Sequence, residues 1–239
     1  MTTPVPGTVP TAGFRSRIRH LGEPVALFLG RLGLTPNGLT LIGFLITLAG
    51  AALAAAGLWL AAGIVVFLGG AFDLFDGALA RATGRASKVG AFLDSVFDRW
   101  GESVVYIGIV IGCLNAGFLL GAGLAAVAMS EAFLVSYTRA RAESLGLSTG
   151  SGMAAVGLAP REVRLIILSL GLVIAGLAGG VQGAQFNLNV LGLLDRAPTD
   201  STGAQVLGAA LGLIAILATI TVIQRIIHVT KQAATSDGK

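Results

Sequence analysis

Apolar and polar positions along this chain fall in long blocks and not in short alternating steps. Runs long enough to cross a bilayer cover roughly residues 37–57, 58–80, 91–117, 118–138, 164–184 and 204–226. About 20 apolar residues carry a helix across the hydrocarbon core, so each run predicts a transmembrane helix. A membrane β-barrel would instead alternate every second residue, and the runs do not. Ahead of them, FRSRIRHLGEPVALFLGRLGL (14–34) sets Phe14, Ile18, Leu21, Val25, Phe28 and Leu32 at steps of three and four. Arg15, Arg17 and Arg19 lie off that face, which predicts an amphipathic helix in the membrane interface, kinked near Gly22 and Pro24. The expected fold is an all-α integral membrane protein of six transmembrane helices plus an N-terminal amphipathic interfacial helix. Its parts are a disordered tail at 1–13, the interfacial helix at 14–34, a transmembrane domain at 35–230 and a C-terminal tail at 231–239.

Composition sharpens this picture. Only 12% of the 239 residues are charged, against about 25% in soluble domains. Of the 16 Lys and Arg, all but Arg196 fall in the N-terminal arm, near the turn after the second run, between 139 and 164, or at the C-terminal end. The positive-inside rule puts those segments and both termini at the cytoplasmic face of a cell membrane. The net charge of +4 then faces anionic headgroups. It traces helix ends and forms no single basic face, so no nucleic-acid partner is expected. The one cysteine, Cys113, excludes an internal disulfide and a cysteine metal cluster, and reads as a small buried apolar residue.

Candidate chemistry is concentrated in FDLFDGALARATGRASKVGAFLDSVFDRW (72–100). Asp73, Asp76, Asp94 and Asp98 are four of the chain's 12 acidic residues. Each carboxylate inside a membrane span costs about 2.5–3.5 kcal/mol unless it meets a cation or water. Asp73 and Asp76 are three apart, Asp94 and Asp98 four apart, so each pair shares a helix face. The polar turn at Gly84 makes the two helices antiparallel neighbours. Two carboxylate pairs facing each other form an oxygen-rich cage suited to a hard divalent cation, magnesium above all. His20 and His228 lie at the chain ends, which argues against zinc or iron. A purely structural ion-pair network with Arg81, Lys88 and Arg99 would leave carboxylates unpaired in low dielectric. Two ions about 4 Å apart would organise in-line displacement at a phosphate. Membrane acids also mark ion pathways, so a divalent cation transporter is the alternative of another class. Against it, the acids cluster at one face and no acidic residue continues them toward the other side; Glu131 in a later span stands alone.

The stretch LTPNGLTLIG opens the first run with Thr35 as a cap and Pro36 in the first turn. A helix start of this kind presents unpaired N–H groups, a seat for an anion.

The spacing Asp73-xx-Asp76-Gly77-xx-Ala80-Arg81, then Gly90-xxx-Asp94-xxx-Asp98, resembles the signature of the CDP-alcohol phosphotransferases. These membrane enzymes transfer a phosphoryl-alcohol from a CDP-linked donor to an acceptor hydroxyl and release CMP. The resemblance implies that Asp73, Asp76, Asp94 and Asp98 ligate two magnesium ions, with manganese as a substitute, and that Asp98 is the general base. It implies a CDP-lipid site of Asn37, Gly38, Thr40, Asp73, Gly77, Arg81 and Ser87, and a homodimer.

The second half carries SYTRARAESLGL (136–147), APREVRLII (159–167) and QRIIHV (224–229). It is similar to one branch of that family, the actinobacterial phosphatidylinositol phosphate synthases and their archaeal relatives. The cluster of Arg139, Arg161, Arg164 and Arg225 suits an acceptor that itself carries a phosphate. The resemblance implies CDP-diacylglycerol as donor and inositol 1-phosphate as acceptor. Glycerol 3-phosphate is the alternative that basic residues alone do not separate.

Overall fold

The computed structural model describes residues 24, 27–147, 156–182 and 201–236. The expected 1–13 tail and most of the interfacial helix lie outside the described residues, although residues 27–31 are helical. Beyond that segment, six helices and no strand occur among the described residues: α1 (Pro36–Ala55), α2 (Trp59–Ala82), α3 (Lys88–Asn115), α4 (Leu119–Ser144), α5 (Arg161–Leu177) and α6 (Thr202–Ser236).

Four of these, α1, α2, α4 and α6, are long and apolar enough to cross a membrane. The other two fall short for visible reasons. α3 carries Lys88, Asp94, Asp98, Arg99 and Glu102 in its first 15 of 28 residues. α5 has 17 residues, a rise of about 25 Å, and its first turn holds Arg161, Glu162 and Arg164.

The chain divides into two compact units, Met1–Leu45 with Gly69–Asp98, and Ile46–Leu68 with Arg99–Lys239. In the first, Leu39, Ala78 and Leu79 form a small core, with Leu29, Leu34, Phe72 and Phe75 packed on it. α2 ends where Gly84 takes φ +65°. The Arg85 N–H then reaches back to the Ala80 carbonyl at 2.9 Å and Gly84 N–H to Arg81 at 3.3 Å. This is a left-handed helix stop that a side chain would strain.

The second unit is assembled by small residues at helix crossings. A Cβ on Gly108 of α3 would collide with the Ala51 carbonyl of α1, and one on Gly112 with the Ala54 carbonyl. Likewise Gly176 of α5 lies against Leu60 of α2. Close backbone approach of this kind is how helices gain packing where lipid offers no hydrophobic drive. On α4, Ala122, Ala125, Ala128 and Ala132 are buried at helical spacing. On α6, Leu207, Leu211, Ala215 and Ala218 do the same, followed on that face by Thr221 and Arg225. The apolar stripe thus ends in two buried polar side chains.

Candidate active site

In the first unit two helix starts lie side by side. Thr35 Oγ1 accepts the Gly38 N–H at 3.1 Å, capping α1. Ser87 Oγ accepts the Gly90 N–H at 3.0 Å, capping α3. A Cβ on Gly90 would come within 3.3 Å of Asn37 Oδ1, so glycine there lets α1 and α3 approach. One turn further, Thr40 Oγ1 donates to Asp76 Oδ2 at 2.5 Å, with both residues buried. The Pro36 carbonyl also lies 3.2 Å from that hydroxyl. A hydroxyl has one proton, and the short bond to a carboxylate is the stronger claim on it. One more turn along α1, Phe44 meets Phe97 of α3 at a tilt of 59°, with centroids 5.1 Å apart. Asn37, Thr40 and Phe44 are thus one face of α1, touching α3, α2 and α3 in turn.

Gly77 and Arg81 also meet. A Cβ on Gly77 would stand 3.3 Å from Arg81 Nη1, so the missing side chain lets the guanidinium lie along its own helix. The structure therefore brings Asn37, Thr40 and Asp76 together and sets Gly77 beneath Arg81. Asp94 and Asp98 are half-buried one turn apart on α3. The Asp73 side chain lies outside the described residues, although its backbone is within α2. The described side chains alone include no group of three or more His, Cys, Asp or Glu arranged around a metal. The chemistry of the donors still fits the expected ion: they are carboxylates, hard oxygen ligands suited to magnesium or manganese.

The second unit holds the arginines. Arg139 donates through Nε to Glu143 Oε1 at 2.9 Å and is half exposed. Arg161 is partly exposed and Arg141 exposed. Arg225 is buried; its Nε donates to the Val156 carbonyl at 3.0 Å and Nη1 to the Val135 carbonyl. The charges of Arg139, Arg164 and Arg99 act on it as well as its burial.

Arg164, expected among the phosphate-holding residues, is taken up by partners within the protein. It is 1% exposed. Nε and Nη2 close a two-pronged fork on Glu102 Oε1 and Oε2, each at 2.8 Å, and Nη1 donates to the Ala159 carbonyl at 2.8 Å. Arg99 Nη1 adds a contact of 3.6 Å to Glu102 Oε2. Sequence reasoning missed this pairing, yet its signal was present: an acid and a base inside separate apolar runs must find partners. Thr221, equally unforeseen, accepts the N–H groups of Leu158 and Ala159, each at 3.0 Å, and donates to the Leu217 carbonyl.

Fold and site together define a helical, multi-pass membrane protein with a carboxylate site beside capped helix starts. The profile of the CDP-alcohol phosphatidyltransferases matches residues 33–235, and the chain belongs to that family of enzymes, which use divalent magnesium or manganese. It is similar to an archaetidylinositol phosphate synthase of Pyrococcus horikoshii, 42% identical over 161 residues, spanning 64% of this chain and 77% of the relative. It is also similar to a phosphatidylinositol phosphate synthase of Streptomyces avermitilis, 34% identical over 223 residues, spanning 90% and 80%. Among solved structures, the Mycobacterium tuberculosis phosphatidylinositol phosphate synthase with CDP-DAG bound superposes with TM-score 0.68 at 28% identity, covering 88% of this chain and 94% of that one. The same enzyme with manganese and citrate gives 0.67 at 29%, covering 87% and 88%.

Proposed function

We propose that this enzyme transfers phosphatidyl from CDP-diacylglycerol to a hydroxyl of inositol 1-phosphate, forming phosphatidylinositol phosphate and CMP. The acceptor oxygen attacks the phosphorus attached to diacylglycerol, the bond from that phosphorus to CMP breaks, and the acceptor's proton passes to Asp98. Magnesium or manganese, held by Asp73, Asp76, Asp94 and Asp98, supplies charge neutralisation at the pyrophosphate. Thr40 keeps the Asp76 carboxylate turned for that task. Gly77 and Arg81 hold the CDP phosphates, and Asn37, Gly38 and Ser87 line the nucleotide end.

The observation that carries the acceptor is the surplus of positive charge around Arg225. Arg99, Arg139 and Arg164 are its charged neighbours, and among the described residues Glu102 and Glu143 are the acids paired with them, which leaves positive charge in excess. A buried cation among cations is stable only with an anion nearby, and a phosphate on the acceptor is such an anion. Arg139, Arg161 and Arg225 are the residues that receive it.

α3 and α5 complete six spans, with both termini and the site at the cytoplasmic face. Residues 14–34 lie along the interface, and the enzyme works as a homodimer. The cation-transporter alternative has no support in a family of transferases.

The test is CMP release by purified protein in CDP-diacylglycerol vesicles with inositol 1-phosphate, glycerol 3-phosphate, free inositol or no acceptor. Inositol 1-phosphate is expected to give fast release that excess EDTA abolishes and magnesium restores. Free inositol matching its phosphate, or glycerol 3-phosphate surpassing it, overturns the acceptor.

A further inference from the structure

We infer that the Glu102–Arg164 pair is a strut that holds Arg225 in position, so that Arg164 serves acceptor binding without touching the acceptor. This rests on the reading that Arg225 receives the acceptor's phosphate. Both Glu102 oxygens are taken by Arg164, whose third nitrogen is on the Ala159 carbonyl. At 1% exposure, Arg164 has no edge to offer a ligand. Glu102, one turn after Asp98 in sequence, is for the same reason no candidate for a base.

The pair does something else. Residues 156–160 lead into α5 without regular structure, and three side chains fix their backbone. Arg164 binds the Ala159 carbonyl, Thr221 binds the Leu158 and Ala159 N–H groups, and Arg225 binds the Val156 carbonyl. Gly157 has φ +122° and leaves no room for a Cβ beside Thr221 Cγ2, so this strap and α6 fit only in close apposition. Arg225 lies one turn beyond Thr221 on α6. Its Nη2 makes no hydrogen bond among the described residues, while Nε and Nη1 are held by the Val156 and Val135 carbonyls. A chain of contacts thus runs from Glu102 through Arg164 and the strap to Arg225, whose Nη2 is left over for a ligand. A long arginine among like charges would otherwise swing outward; two fixed carbonyls hold it.

The two roles for Arg164 give opposite signs. If Arg164 gripped phosphate itself, Glu102→Gln would remove a competing carboxylate and lower the acceptor KM or leave it unchanged. As a strut partner, Glu102→Gln should raise the acceptor KM on the order of 10-fold, the scale of one charge-assisted contact. kcat and the CDP-diacylglycerol KM should stay within about two-fold, and the effect should vanish in an Arg225→Ala background, as coupling demands. Thr221→Val alters no charge and keeps the shape of the side chain, yet loosens the strap, so it should also raise the acceptor KM. It decides the matter should Glu102→Gln fail to give folded protein by gel filtration in detergent. An unchanged acceptor KM in Thr221→Val, or a Glu102→Gln effect that persists without Arg225, overturns the strut. If Arg225→Ala itself leaves the acceptor KM unchanged, it is the acceptor site that fails, and the strut with it.

Discussion

Thr40 and Asp76 stand 36 positions apart in sequence, and one hydrogen bond of 2.5 Å makes them a unit. Thr40→Val should therefore leave a buried carboxylate oxygen without its donor, a penalty of about 1–3 kcal/mol. Activity should fall at limiting magnesium and recover in part as magnesium is raised, while Thr40→Ser should resemble the wild type. Equal loss at all magnesium concentrations would assign Thr40 to the nucleotide instead. Asp98→Asn should lower turnover by roughly 100-fold or more, the usual scale for a general base, while retaining CDP-diacylglycerol binding; wild-type turnover in that variant would place the base elsewhere. At this scale the sequence revealed which aspartates pair on a face, because spacing within one helix fixes that. It gave no sight of Thr40 meeting Asp76 or Arg164 meeting Glu102, because pairing between helices depends on how they cross. In sequence, a basic residue near a helix start looks the same whether it faces a ligand or a buried acid.

Hydropathy located the helices but misplaced several ends. The fourth run stops near 138, yet α4 continues to Ser144, carrying Arg139 onto its last turns. A helix does not end where polarity begins; it ends at a stop signal, here Gly146 at φ +69°. The fifth run was drawn to 184, yet α5 closes at Leu177, ahead of Gly179 and Gly180 with positive φ. Glycine is also why α3 approaches α1 closely. Gly108→Val should collide with the Ala51 carbonyl, a backbone atom that cannot step aside. The melting temperature in detergent should drop by several degrees, or the fold should be lost, since overpacking costs about 1–3 kcal/mol. Gly123 of α4 has nothing within 4 Å, so Gly123→Ala should be neutral or stabilising by about 0.5–1 kcal/mol. Equal destabilisation by both would deny the crossing at Gly108 its special closeness.

At the scale of the whole molecule, charge and hydropathy make a joint claim that neither makes alone. An even number of spans returns the chain to its starting side, and only then do all the Lys and Arg but Arg196 share one face. If α3 or α5 failed to cross, the basic segments on either side of it would be split between the two faces, against the bias that sets topology. The count of spans is thus testable through sidedness. Cys113 is fully buried, and Cys113→Ser gives a background for single reporters. Arg196→Cys should react with a membrane-impermeant maleimide in intact cells. Ala234→Cys, near the exposed end of α6, should react only after the membrane is opened, as should Arg85→Cys in the turn between α2 and α3. Arg85 and Ala234 labelling from the same side, with Arg196 from the other, fits crossings by α3, α4, α5 and α6 together. If Arg85 and Ala234 labelled from opposite sides, one of the two charge-bearing helices would not span. The six-span topology with both termini on one side would then be wrong.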